Sequence, residues 1–434
     1  MKEKSKEKNY IKIIFFNIKK IFIGIIIFFI LCLLLLKIKF HLNIILSLVI
    51  SGLGVFTIIQ YLKRILMKEF EKAGFVEDWH DLYGDKITNI PYFKNDVIIN
   101  SFKKSGDNYN DEIGNVNNGK DYQKNERNYY DLYIPYLALK KKDKFNGVML
   151  FIHGGGWVEG VKNSFSFLCS RYAKFGYITA TMNHTLLTKK YKESNIFRIL
   201  DEITSCINDI IDQLKNLGFD ESKLELALGG ASSGAHLVML YGYSIKKCPL
   251  PIKFIINLVG PVSLEPEYFY KIKNDESLES IEPQDIEVAM KDKKLEKCVE
   301  DELFLLKLMN SFIGNKYTDE EIQTMIENKK IKTDSEKYKE MLKIVQNAFP
   351  VKFINSKTVP TLCEYGGKDN VVGIAQYSYI KRLAEKYGNK IELIYMKDSY
   401  HMLESYETKD GMSTIKEMHY QIMKFAKTYF TCDK

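Results

Sequence analysis

The sequence is poor in the features that mark metal sites, disulfide scaffolds and nucleic-acid binders. Seven cysteines are scattered at 32, 169, 206, 248, 298, 363 and 432, and none form a C-x-x-C pair. That scatter excludes a disulfide framework and fits buried, reduced thiols. There are also only seven histidines, and they show no ligand spacing with the cysteines. No metal or other cofactor is implied. The net charge of +8 is unevenly placed: residues 1–72 hold 13 Lys and Arg against 4 Glu, a balance of +9, which leaves the rest near −1. A main body without positive surplus offers no broad nucleic-acid surface. No internal repeat is evident.

What is abundant at the amino terminus is apolar length. Ile21–Leu36 is 16 residues without charge, and Leu42–Leu62 is 21. A spanning helix needs roughly 20 apolar residues. The first run is short, but Lys19, Lys20, Lys37 and Lys39 can snorkel to the headgroups. The sequence therefore predicts a membrane anchor over 1–72, with two helices at about 19–39 and 42–62. Seven lysines precede the first run, and Lys63, Arg64, Lys68 and Lys72 follow the second. The positive-inside rule then places both ends, and the catalytic domain, in the cytoplasm. A cleaved signal peptide is disfavoured, since no small-residue cleavage site follows Leu36 and a second run does. A single-pass anchor with an exported domain is the competing topology.

Residues 73–127 read as a connector followed, at 103–127, by a mobile loop rich in Asn, Gly and charge. From 128 to 434 strands and helices alternate. YYDLYIP, GVMLFIH, YITATMNH, LELALGG, IKFIINLVGPV, TVPTLCEYGG and KIELIYM read as strands. Long helices are expected around 195–218 and over Thr414–Phe430. The alternation predicts an α/β fold: a mostly parallel sheet with helices on both faces. One block, about 263–349, carries only helix signals, including a capping box at Thr318–Glu321. It is expected to be a helical cap over the carboxyl edge of the sheet.

Two glycine clusters carry the chemistry. Gly230-Ala231-Ser232-Ser233-Gly234 fits G-x-S-x-G, with an apolar strand before it and a helix after it. That context is a nucleophile elbow, which would lift the Ser232 hydroxyl above the sheet. A serine needs a base, and the base needs an acid. His401, just past a strand end, is the expected base. His236 lies on the helix after Ser232 and is expected to pack. Asp369, in TLCEYGGKDNVVG, is the expected acid, and Asp398 is its rival. The other cluster, FIHGGGWVEG, places Gly154, Gly155 and Gly156 at a strand end. No Lys-Ser/Thr follows it and it lacks G-x-G-x-x-G spacing, so it is neither a phosphate loop nor a dinucleotide fingerprint. Its N–H groups, with that of Ser233, can face a developing oxyanion.

The stretches DLYIP, FIHGGGWVEG, NHTLL, GGASSGAHL, TLCEYGGKDNVVG and SYHML together resemble the alpha/beta-hydrolase superfamily. The nearest resemblance is to the HGGG-type carboxylesterases, hormone-sensitive-lipase-like and carbohydrate-esterase-like, over about residues 128–432. It implies Ser232 as nucleophile, Asp369 as acid and His401 as base, with Gly155, Gly156 and Ser233 as oxyanion donors. The expected reaction is hydrolysis of an ester through an acyl-enzyme; the membrane hairpin points to a lipid-like ester delivered from the bilayer, or equally to a tether for an enzyme of small-molecule acetyl esters. Amidase, formamidase or peptidase chemistry on the same fold is the alternative. A catalytically silent, membrane-bound binding protein is the non-enzymatic one.

Overall fold

The computed structural model describes residues 79, 83–92, 125–191, 194–272, 295–299, 301–403 and 414–431. The membrane hairpin expected over 1–72 and most of the 103–127 loop lie outside them. No helix among the described residues is long and apolar enough to cross a membrane.

The strands, in chain order, are β1 Gly84–Pro91, β2 Tyr129–Pro135, β3 Val148–Ile152, β4 Ile178–Met182, β5 Leu226–Ala231 and β6 Ile252–Leu258. Four short ones follow: β7 Tyr270–Ile272, β8 Leu295–Lys297, β9 Ile326–Glu327 and β10 Lys330–Ile331. Then come β11 Thr361–Gly366 and β12 Ile391–Met396. The helices are α1 Tyr136–Lys140, α2 Ser166–Lys174, α3 Ile196–Asn216, α4 Ser233–Ser244, α5 Leu303–Phe312, α6 Asp319–Thr324, α7 Glu336–Val345, α8 Ile374–Tyr387 and α9 Thr414–Tyr429.

Eight strands form one sheet in the order β1-β2-β4-β3-β5-β6-β11-β12. The last six run parallel, and β2 and β1 are antiparallel additions at one edge. β3 and β4 are buried at every position, as strands covered on both faces must be. Phe151 points to one face, with its ring 5.5 Å from Phe165 and 5.9 Å from Tyr172 of α2. Leu150 and Ile152 point to the other and share a core with Ile199 of α3 and Leu240 of α4. α9 joins α2 through Tyr172 and His419, whose Oη and Nδ1 lie 3.0 Å apart. This is the alpha/beta-hydrolase layering that the resemblance implies.

Two expectations need correction. The connector read over 73–100 contains a strand, β1. It was hidden because only Gly84 and Ile90 of its eight residues are buried, so it has no clean alternation. Its register also shifts between Ile87 and Ile90, where Asn89 adopts φ 56° and donates its N–H to Asp131 at 2.8 Å. The 263–349 block is not purely helical. It holds α5, α6 and α7 with the expected Thr318–Glu321 capping box, but also the two-stranded pairs β7–β8 and β9–β10. Strands this short carry no readable period. The β9–β10 turn uses Asn328 and Lys329 at φ 51° and 64°, a left-handed pair without the glycine that usually signals it.

Candidate active site

All the candidate groups sit past the carboxyl ends of parallel strands. The glycine loop follows β3, Ser232 follows β5, Asp369 follows β11 and His401 follows β12. Such ends are where open parallel sheets place their sites.

Ser232 has φ 52° and ψ −124°, a sparsely populated conformation for a residue with a side chain. Its N–H is tied to Leu258 O at 2.8 Å, and its own carbonyl receives His236 N at 3.1 Å. The turn is tight because α4 passes directly over the end of β3. A Cβ built on Gly234 would lie 2.0 Å from Ile152 O and 2.5 Å from His153 O. Those are backbone atoms and cannot swing away, so the second glycine of the motif is a packing requirement.

His401 Nε2 is 3.0 Å from Ser232 Oγ, and its Nδ1 is 2.8 Å from Asp369 Oδ2. Asp369 is buried, and its other oxygen accepts the N–H groups of Val371 and Val372 at 2.8 and 2.9 Å. With one oxygen held by two amides, the carboxylate presents the other to the imidazole in a fixed direction. The rival Asp398 is exposed and pairs with Lys368 at 2.8 Å. The structure thus brings together the three side chains expected from the sequence and leaves Asp398 out.

The glycine loop runs past the serine. A Cβ on Gly154 would come within 3.2 Å of Ser232 Cβ. Gly155, Gly156 and Trp157 have φ of 121°, 58° and 65°, and Gly155 O accepts both Val158 N and Glu159 N. Three successive positive φ values turn the amides away from the ordinary strand direction. Ser233 N–H, first in α4, has no acceptor within its own helix. The loop approaches the serine at Gly154, and Ser233 is its chain neighbour.

Several residues that hold this loop are not legible in the sequence. Arg127, expected in a mobile loop, donates from Nη2 to Gly160 O at 2.8 Å and lies 3.1 Å from His153 Nε2. Its Nε donates to His184 O at 3.1 Å. His153 Nδ1 is 2.8 Å from Gly154 O, so that nitrogen carries the hydrogen and Nε2 accepts from the guanidinium. Burial, the stacked His184 ring 4.4 Å away and Arg127 together depress the His153 pKa to about 2. Arg127 therefore clamps both ends of the 153–160 segment through a neutral histidine.

On the other side, Trp157 Nε1 donates to His236 Nδ1 at 3.3 Å, and His236 Nε2 donates to Ala348 O at 2.8 Å. Burial holds His236 down to about 4. Phe312 of α5 packs edge-on to Trp157 with centroids 5.0 Å apart. The expected packing role of His236 is observed, and it links the glycine loop, α4 and the insertion. Among the described residues no group of three His, Cys, Asp or Glu is placed to hold a metal ion.

Residues 130–383 match the model of the family described as BD-FAE. Similar solved structures include a truncated carbohydrate esterase from gut microbiota, at 15% identity, covering 80% of this chain and 98% of that one with a TM-score of 0.49. An esterase of the Planctomycetes species Thermogutta terrifontis, butyrate-bound, is 16% identical over 73% of this chain and 95% of its own, TM-score 0.47. Esterase B of Lactobacillus rhamnosis is 13% identical over 86% and 95%, TM-score 0.48. No curated protein matches the sequence.

Proposed function

The chain belongs to the BD-FAE family, and from that premise we propose that it is a carboxylic ester hydrolase working through Ser232, His401 and Asp369. The observation that carries this reading is the unbroken line from Ser232 Oγ through His401 to Asp369 Oδ2, at 3.0 and 2.8 Å. Asp369 holds the proton on His401 Nδ1, which leaves Nε2 to accept from the serine. Ser232 Oγ attacks the ester carbonyl and its proton passes to Nε2. The carbonyl oxygen becomes an oxyanion facing the amides of Gly155, Gly156 and Ser233. The carbon–oxygen bond to the alcohol breaks, and His401 returns the proton to the departing alcohol. Water then gives a proton to the same nitrogen and attacks the acyl group. The acid leaves, and Ser232 recovers its hydrogen.

The substrate is a small-molecule or lipid-like ester. The apolar runs Ile21–Leu36 and Leu42–Leu62 support a two-helix membrane tether with the catalytic domain in the cytoplasm. Ser232→Ala is expected to lower hydrolysis of short p-nitrophenyl esters by several powers of ten with unfolding unchanged. Parent-level turnover in that variant rejects the assignment. Release of the full-length chain from membranes by alkaline carbonate rejects the tether.

A further inference from the structure

We infer that the amino-terminal edge of the sheet, opposite the catalytic loops, docks on an anionic lipid surface. The inference rests on the tether proposed above and adds an orientation to it. The chain enters the sheet at this edge. Gly84, the first residue of β1, pairs with Pro135 at the end of β2, and β2 ends beside the start of β4 because Tyr133 pairs with Thr179. Trp79 and Tyr83 stand there, with Trp79 5.3 Å from the ring of Tyr133. The described chain therefore enters the sheet at the strand ends opposite those that carry Ser232, Asp369 and His401.

That edge has the composition of an interfacial surface. Helix α1 follows Pro135 directly and exposes Tyr136 and Leu137, each 54% accessible. Phe175, just before β4, is 49% accessible. Around them stand Lys86, Lys140, Lys141, Lys142, Lys144 and Lys174, against Asp85 and Asp143, so six positive charges less two leave +4 on the patch. The chain beyond residue 72 sums to about −1, so the surplus is local and not a property of the whole domain. Lys140 Nζ lies 5.4 Å from the Tyr136 ring and Lys174 Nζ 4.2 Å from the Tyr83 ring. Aromatic rings flanked by lysines suit the headgroup layer, where rings enter the apolar boundary and ammonium groups meet lipid phosphate. The cytoplasmic leaflet is the anionic one, which agrees with the positive-inside placement. The catalytic edge also exposes apolar side chains, Val158, Val161, Val371, Tyr400 and Met402, and Lys368 there pairs with Asp398, but the chain does not enter the sheet among them. With the amino-terminal edge on the bilayer, the site opens to the aqueous side and takes soluble esters.

Hydrogen–deuterium exchange of the full-length protein in nanodiscs tests this. Neutral phosphatidylcholine discs are compared with discs that also contain phosphatidylserine. Amides over residues 136–144 are expected to exchange several-fold more slowly in the anionic discs, and added salt is expected to reverse the effect. Replacing Lys140, Lys141, Lys142 and Lys144 by Glu is expected to abolish the difference while hydrolysis of a soluble acetyl ester persists. Equal exchange in the two discs overturns the docking, as does slowing at 153–161 and 398–403 instead. A chain that does not enter the discs overturns the tether, and the docking with it. Loss or survival of hydrolysis in Ser232→Ala bears on neither.

Discussion

At the scale of single residues, the site is made by places where a side chain is forbidden. Gly234 is the sharpest case, since its Cβ would meet two carbonyls of the β3 end. Gly234→Ala is expected to cost roughly 2–3 kcal/mol of folding stability, read by urea unfolding, because neither the elbow nor β3 can retreat without displacing Ser232. An unchanged unfolding midpoint would show that the elbow relaxes freely. Ser232 itself carries a positive φ without being glycine, and hydrogen bonds on both sides of it keep the turn in place.

At the scale of the element, the 153–160 loop is the component whose shape is imposed from outside. Its ends approach closely: a Cβ on Gly160 would meet Gly154 O at 2.1 Å. Arg127 closes that neck, and Trp157 fixes the middle against His236 and Phe312. Arg127→Ala leaves His153 Nε2 and Gly160 O without their donor in a largely buried setting. It is expected to lower kcat by roughly ten- to a hundredfold with KM and the pH profile of kcat held, because the Ser232–His401–Asp369 line does not involve it. Arg127→Lys cannot serve three acceptors in one plane and restores only part of the rate. A shifted pH profile in Arg127→Ala would show that the arginine acts on the His401 side instead.

At the scale of the whole molecule, buried ionisable groups set the pH range of stability. His153 is depressed to about 2, and His184 and His236 to about 4, in each case first by burial. On acidification the unfolded chain takes up these protons before the fold does, so stability falls as pH drops below the ordinary histidine value. Glu364 and Asp201 go the other way. Burial raises both to about 8, so the fold keeps protons that the unfolded chain has already lost, and stability falls as pH rises toward that value. Taken together these five groups place the highest thermal midpoint at about pH 6. Glu364→Gln is expected to flatten the alkaline decline, since among the described residues neither Glu364 oxygen has a hydrogen-bond partner. A midpoint that climbs steadily to pH 9 would contradict this.

Much of this was legible in the chain itself. Strong apolar runs and their alternation with helix signals specify the parallel sheet, because each buried strand must be hydrophobic regardless of its neighbours. G-x-S-x-G and H-G-G-G are local because an elbow and a tight amide-presenting turn are made within a few residues. His401 and Asp369 were legible from their places past strand ends. Tertiary structure decided how Asp369 is held: the course of the chain after β11 buries it and turns the amides of Val371 and Val372 onto one of its oxygens, whereas Asp398 stays at the surface beside Lys368. Tertiary structure alone recruited Arg127, whose partners His153, Gly160 and His184 lie 26 to 57 residues away. It alone showed β1, whose two buried positions become a strand only when β2 supplies the hydrogen bonds. Local periodicity records what a residue needs from its own segment, whereas clamps and edge strands exist only through the segment they meet.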